Sequence, residues 1–526
     1  MNAMLSRLHD RLLVKNRDQD GNLRPVNAID NDSIRPTPVK DRTWTQTTYI
    51  CFWFAATANV SSLYSAATGQ SVGLNIWEAL ACQLGGQFLA GLLMALNGRA
   101  GAVYRIPYPV LCRSSFGTWG ALWPTLNRAV MSIVWNGVNA VQGAQLVNCA
   151  FLFIPVPRMK NLVYIKVVVF YAAAVALTAW TMSLGGGSKA ALNEPSALQG
   201  SEKSWAIAKF FFLGLASCGT FISNAADMQR YARKPNDVVM GQIVSFPISN
   251  IVGGILGNLI AAASKSVFGE LVWNPVTTLD MLMEGDRYTP GNRAACAFIS
   301  LAFVYSAVFS AIFENSIPAG NDIASLLPKY ITIKRGFFIC AVLSYAICPW
   351  YLLSSAAVFI NFLSSYQIFL SAIAGILICD YYVLRRGFLD IPALYSREKG
   401  STYAYWHGWN FRAFAVYLIA IAPNFYGFLN QMGVEAPVGV QRFYYVAYPT
   451  GLILALLSFY LVNRVFPERG ARQVSGWSEP KDYVDVHDVA VAEGVVVEAV
   501  EANAELARYR GLVTDGKSPY TEKTDH

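Results

Sequence analysis

A glutamate and an asparagine side by side, Glu314 and Asn315, interrupt an apolar run that reads LAFVYSAVFSAIFENSIPAGNDI from Leu301 to Ile323. An ionised carboxylate at the centre of a bilayer costs about 2.5–3.5 kcal/mol even by lenient measures, so it must face a cavity, a partner or a ligand. Three chemistries fit Glu314. It could attract a cationic ligand, an attraction strengthened at low dielectric. It could load and release a proton. Or it could pair with a Lys, an Arg or hydroxyls from another helix. A second polar set lies in MSIVWNGVNAVQGAQ, where Trp135 and Asn139 are four residues apart and share one helical face. A flat aromatic suits a planar ligand and an amide suits its polar edge. The same residues could equally be a packing Trp and an interhelical hydrogen-bonding Asn. A third set, Thr57, Ala58, Asn59, Ser61 and Ser62, sits near the middle of the first apolar run. It reads either as a helix interrupted at membrane depth, tolerated only where it lines a cavity, or as a small-residue packing face.

The elements that must position these residues are membrane helices. The chain has 526 residues, 54% hydrophobic and 14% charged, far from a soluble globular composition. Apolar runs long enough to cross a hydrocarbon core lie near 48–67, 73–96, 122–155, 162–184, 205–227, 239–262, 296–317, 337–355, 357–379, 411–431 and 442–464. This is an all-α polytopic membrane protein with eleven readable spans. Residues 1–45 form a polar N-terminal tail with no secretory signal. The membrane domain covers 46–465, and 466–526 is a polar, largely disordered tail. The net charge of +8 reads as positively charged cytosolic loops rather than nucleic-acid binding. Nine scattered cysteines and four histidines point to neither a disulfide framework nor a metal centre. No phosphate-cradling loop or metal motif argues for an enzyme.

Eleven spans conflict with the charges. Arg99, Arg105 and Arg113 belong on the cytosolic side, as do Arg158, Lys160 and Lys166. The roughly 34 apolar residues between the clusters give roughly 50 Å of helix, too short for two crossings and a turn.

Several blocks, in order, resemble the nucleobase-cation-symport-1 family in its fungal uracil/allantoin/thiamine permease-like branch: NDSIRPTPVKDRTW, FWFAATANVSS, NAADMQRYARKP, AGNDIASLLPKYITIKRG, ICDYYVLRRGFLDIPALY, YAYWHGWNFRA and APNFYGF. The resemblance runs from Asn31 to about Tyr460 and implies a leucine-transporter-like fold. That fold has twelve spans, ten of them in two inverted five-helix repeats with broken first and sixth helices around a midplane site. It implies that the fourth span is missing here, near Ala150–Phe151, with roughly forty residues absent. It implies that Trp135, Asn139 and Asn315 hold a heterocyclic solute, with Cys218 standing where relatives carry Trp or Lys. The resemblance also places Asn59 at the break of the first helix. Ser310 matches one hydroxyl of the family's sodium site while Phe309 occupies the other. One oxygen fewer disfavours sodium, so the expected coupling ion is H+, with no other cofactor. Asp227, Arg230, Asp380, Arg385 and Arg386 read as structural or gating charges, and Asn321 and Asp322 as helix-terminating residues.

The expected function is a permease importing a nucleobase-like or vitamin-like heterocycle by alternating access, in the plasma membrane with both tails cytosolic. Glu314 in place of a small residue favours a cationic solute of the thiamine or nicotinamide-riboside kind, with Trp135 adding cation–π stacking. The alternatives are a uracil, uridine or allantoin permease, and, from another class, a non-transporting receptor or truncated remnant. The expected partners are the solute and the lipid bilayer, with no nucleic acid.

Overall fold

The computed structural model describes residues 12–14, 28–143, 160–186, 192–467, 476–481 and 483. The Ala150–Phe151 junction lies outside them. The main helices are α1 (Gln46–Thr57), α2 (Val60–Ser71), α3 (Ile76–Tyr104), α4 (Tyr108–Phe116), α5 (Leu122–Gly143), α6 (Lys160–Leu184), α7 (Gly200–Ala216), α8 (Gly219–Gln229), α9 (Phe246–Phe268), α10 (Pro290–Ser310), α11 (Ile317–Leu326), α12 (Ile333–Ala346), α13 (Ala356–Ser365), α14 (Gln367–Ile378), α15 (Phe411–Gln431) and α16 (Ala447–Val465). Among the described residues, eight helical stretches are long and apolar enough to cross a membrane. The first expected span is instead two short helices, α1 and α2, and the interval 337–355 ends in a single 3-10 turn. Large apolar side chains such as Val168, Phe298 and Phe338 point outward, as they do when lipid is the solvent.

The first break follows from its residues. Asn59 caps α2 by accepting from the Ser62 amide at 2.9 Å, so the chain leaves the helical path at Ala58. That exposes the last carbonyls of α1, which need partners at this depth. The Ala56 carbonyl accepts from Asn59 Nδ2 at 2.8 Å, and the Thr57 carbonyl from Ser62 Oγ at 2.5 Å. The Ala58 carbonyl accepts from the Ser306 hydroxyl on α10. The polar residues at 57–62 therefore satisfy an interrupted backbone rather than forming a packing face. A second break separates α7 from α8 at Ser217 and Cys218.

The run around Glu314 carries a different irregularity. Residues Ala311–Ser316 form a π-helical turn between α10 and α11. Pro318 has no amide hydrogen and its ring would collide with the Glu314 carbonyl four residues back. A wider turn relieves that collision, and such turns recur at functional sites.

Small residues set the helix spacing. A Cβ on Gly86 of α3 would lie 2.3 Å from the Phe211 carbonyl of α7, and one on Gly257 of α9 would lie 2.0 Å from the Leu63 carbonyl of α2. Glycine is needed there because only backbone meets backbone. Gly257→Ala is expected to push α9 off α2 and lower thermal stability in detergent by about 2 kcal/mol or more. An unchanged melting temperature would show that the two helices separate without cost.

The conflict between charge and span count loses most of its force. Lys166 is not a loop residue; it is buried within α6. Arg105 and Arg113 are also buried, donating to the carbonyls of Ala232 (2.6 Å) and of Leu394 and Ile29 (3.1 and 2.8 Å). Charges consumed inside the fold do not report orientation. Parts of both tails are packed rather than loose. Ile34 is fully buried, with its carbonyl accepting from Tyr395 Oη at 2.7 Å. In the second tail Trp477 stacks on Tyr382, and Glu479 pairs with Arg99 and accepts from Tyr381 Oη at 2.9 Å.

Candidate functional site

One cavity of about 80 Å³ lies between the two breaks, α5 and the π-helical turn. That is space for several waters. Its walls include Asn59, Trp135, Asn139, Cys218, Glu314 and Asn315. The structure therefore gathers residues from four sequence-distant segments into one place. Ser310 is the exception: it does not line the cavity but lies behind it.

Each wall residue is held by its neighbours. Trp135 packs against Phe359 edge-on at 6.3 Å and against Phe362 at 5.6 Å. Asn139 accepts from Ser61 Oγ at 3.2 Å through Oδ1, which leaves its NH2 end as a donor. Among the described residues the Asn315 amide has no hydrogen-bond partner, so both of its functions are available to a ligand. Asn136, next to Trp135, serves the scaffold. It bridges Ser316 and Ser344 at 3.0 and 2.9 Å.

Glu314 is not a lone anion awaiting a cationic ligand. Its Oε1 is 3.9 Å from Lys166 Nζ, and its Oε2 accepts from Asn59 Nδ2 at 3.4 Å. Lys166 donates to the Ala55 carbonyl at 2.6 Å and to Ser310 Oγ at 2.8 Å. The ammonium thus occupies the space between a carbonyl of the broken first helix and the Ser310 hydroxyl of α10, the hydroxyl matched above to a sodium site. A metal cation there would be repelled by a fixed charge a few ångströms away.

A second buried ionic group joins α5, α8 and α11. Arg128 is fully buried. Its Nε donates to Asp322 Oδ2 at 2.7 Å, its other nitrogens pair with Asp322 and Asp227, and it lies over the Tyr108 ring at 4.3 Å. Asp322 is therefore an ion-pair partner, not a helix terminator as its sequence context suggested. Asp227 also accepts from the Tyr108 amide at 3.0 Å. Asp380 is consumed locally, by Arg385 at 2.9 Å and by Ser114 and Ser115 at 2.8 and 2.9 Å. Arg230 donates to Tyr231 Oη at 2.9 Å.

Sequence reasoning passed over Lys166, Arg128, Gln83, Gln87 and Asn250. The signal for Gln83 and Gln87 was present: two amides four residues apart inside the apolar α3. The signal for Lys166 was weaker: it lies just inside the apolar run 162–184 but follows Arg158 and Lys160 and resembles a loop charge.

The sequence matches a family described as permeases for cytosine/purines, uracil, thiamine and allantoin, over residues 36–150 and 143–451. The uridine permease of Saccharomyces cerevisiae is 33% identical over 483 residues, spanning 84% of this chain and 75% of that protein. The allantoin permease of the same yeast is 31% identical, over 86% of this chain and 79% of its own length. Its uracil permease is also 31% identical, over 84% and 76%. Among solved structures the inward-facing form of Mhp1 superimposes with a TM-score of 0.67 at 22% identity, over 84% of this chain and 96% of that one. A closed Mhp1 structure with bromovinylhydantoin bound, described as a nucleobase-cation-symport-1 family transporter, gives 0.62 over 84% and 97%. The helical fold is similar to that of Mhp1, and the chain belongs to the nucleobase-cation-symport-1 family of membrane transporters.

Proposed function

We propose that this protein imports an uncharged, planar N-heterocycle of the uracil, uridine or allantoin kind, coupled to protons and driven by alternating access. The observation that carries the reading is the convergence of Trp135, Asn139 and Asn315 on one buried cavity between two broken helices. A flat ring stacks on Trp135, the Asn139 NH2 donates to a ring carbonyl, and the Asn315 amide pairs with an adjacent carbonyl and N–H edge. The pairing of Glu314 with Lys166 moves the reading from a thiamine-like cation to a neutral solute, because the cavity wall then carries no unbalanced negative charge. The yeast relatives favour the same class.

Lys166 in the cation position supports protons over sodium. A buried Lys–Glu pair can exchange a proton as the cavity opens to one side and then the other. The plasma membrane, with both tails cytosolic, remains the expected setting.

The test is uptake of labelled uracil, uridine, allantoin and thiamine in yeast lacking its own permeases. Saturable uptake of the neutral compounds, stimulated by external acid and indifferent to sodium, is expected. Uptake of thiamine alone would overturn the reading. Trp135→Ala is expected to weaken the apparent affinity by about 10- to 100-fold through lost stacking and buried area, with surface expression retained. Glu314→Gln should flatten the dependence of uptake on external pH.

A second reading rests on the family match, which falls into two stretches that overlap at 143–150, beside the Ala150–Phe151 junction. A chain lacking one span would be a non-transporting remnant. Uptake that appears only after roughly forty residues of a relative are inserted at that junction, enough for one span with its loops, would establish it.

A further inference from the structure

One buried ionic group takes no part in holding the solute. Arg128, Asp227 and Asp322 lie on the three segments that supply Trp135, Thr220 and Asn315 to the cavity wall. Each charge stands seven residues from its wall residue, which is two helical turns or about 10 Å. The three charges meet, so all lie on one side of the cavity. It is the side on which the N-terminal segment packs, because Arg230, three residues past Asp227, donates to the Ser33 carbonyl at 3.4 Å. Arg128 and Asp322 are 0% exposed and Asp227 is 2% exposed. The group therefore forms a closed floor beneath the cavity, built on the same helices as its walls.

Arg128 holds its two carboxylates differently. It hydrogen-bonds Asp322 through Nε and through a second nitrogen. It meets Asp227 through Nη1 as a charge contact, with no aligned hydrogen bond at either atom. α5 packs along α11 and touches α8 at few positions. Asp227 also has an anchor apart from Arg128, the Tyr108 amide at 3.0 Å. Arg230, at the end of α8, is 4% exposed. Its Nε has no acceptor, and among the described residues it has no carboxylate partner. A buried cation without an anion is costly, and three residues along a helix put Asp227 and Arg230 on one face. We propose that these four residues are the tail-side gate of the cavity, and that it opens when Asp227 passes from Arg128 to Arg230 of its own helix while Arg128 stays with Asp322. α8 can then part from α5 and α11 with each carboxylate still beside a cation, which rupture of the pair without a second cation would not allow. The gate rests on the alternating-access reading and names the residues that would regulate access to the same cavity.

Cys218 in the cavity wall is a built-in reporter. The full-length protein is sealed into vesicles with its tail side outward and treated with a small membrane-impermeant methanethiosulfonate, and modification of Cys218 is read by peptide mass spectrometry. Asp227→Asn, which weakens the hold of Arg128 on α8, should raise that modification about tenfold over the wild type. Arg230→Met, which removes the receiving cation and leaves Arg128 with both carboxylates, should lower it by a similar factor, and Arg230→Lys should restore it. Two variants that merely loosened the same helix would shift accessibility in the same direction. Labelling unchanged in both variants, or changed with the same sign, overturns the gate. If Asp227→Asn does not fold, the sign of Arg230→Met against the wild type decides: reduced labelling supports the gate, and equal or greater labelling overturns it. If both variants behave as expected and no heterocycle is taken up, the gate stands and the solute reading falls.

Discussion

Lys166→Met should abolish the proposed acid-stimulated uptake and lower the thermal stability of the solubilised protein by about 3–5 kcal/mol, because it strips one member from a buried ion pair. The ammonium meets three needs at once. It hydrogen-bonds the Ala55 carbonyl and the Ser310 hydroxyl and faces the Glu314 carboxylate. Without it a carbonyl of the interrupted helix has no donor, and Glu314 keeps a charge in a nearly dry place. The double variant Lys166→Met with Glu314→Gln should recover most of the lost stability, since replacing both partners of a buried pair is often nearly neutral. It should not recover uptake driven by external acid. Stability is read by thermal unfolding in detergent, and coupling by uptake at several external pH values. A Lys166→Met protein that still accumulates solute faster at acid pH would remove this pair from the coupling mechanism.

Arg128→Met should have a comparable or larger effect, about 3–5 kcal/mol or more, because it leaves two buried carboxylates, Asp227 and Asp322, without a cation. The expected phenotype is loss of monodisperse protein by fluorescence-detected size exclusion. Lys at this position should rescue poorly: a single ammonium cannot match a planar fork that serves two carboxylates on separate helices and stacks on Tyr108. Arg128→Met combined with Asp227→Asn and Asp322→Asn should restore folded protein. It would also leave α5, α8 and α11 without their ionic tie. If the single variant folds as well as the wild type, the three charges contribute nothing to assembly.

The cavity wall was legible in the chain only in part: membrane depth makes polar residues such as Glu314 and Asn315 expensive, while Trp135, Asn139 and Asn59 read equally as packing residues until the family resemblance was added. Trp135, Asn139, Glu314, Asn315 and Asn59 each stand out against an apolar background, and all five line one cavity. The same argument applies to Gln83 and Gln87, two amides within the apolar α3 beside the glycine that draws it against α7. Charge counting worked less well. Arg105, Arg113 and Lys166 looked like loop residues that report orientation, yet all three are buried and bonded to carbonyls or hydroxyls of distant segments.

What the sequence determined by itself is local: the apolar runs, the capping Asn59 that ends one helix and starts another, and the Pro318 that forces a wider turn beside Glu314 and Asn315. Those features depend on neighbours a few residues away, so composition and spacing contain them. What only the tertiary structure decided is which charge meets which. Lys166 and Glu314 are far apart in the chain, as are Arg128 and its two aspartates, and nothing in their local context marks them as partners. Coulomb pairing in a low-dielectric interior depends on distance in space. That distance turns Glu314 from an expected ligand for a cationic solute into half of an internal pair, and with it moves the proposed solute from a cation to a neutral heterocycle.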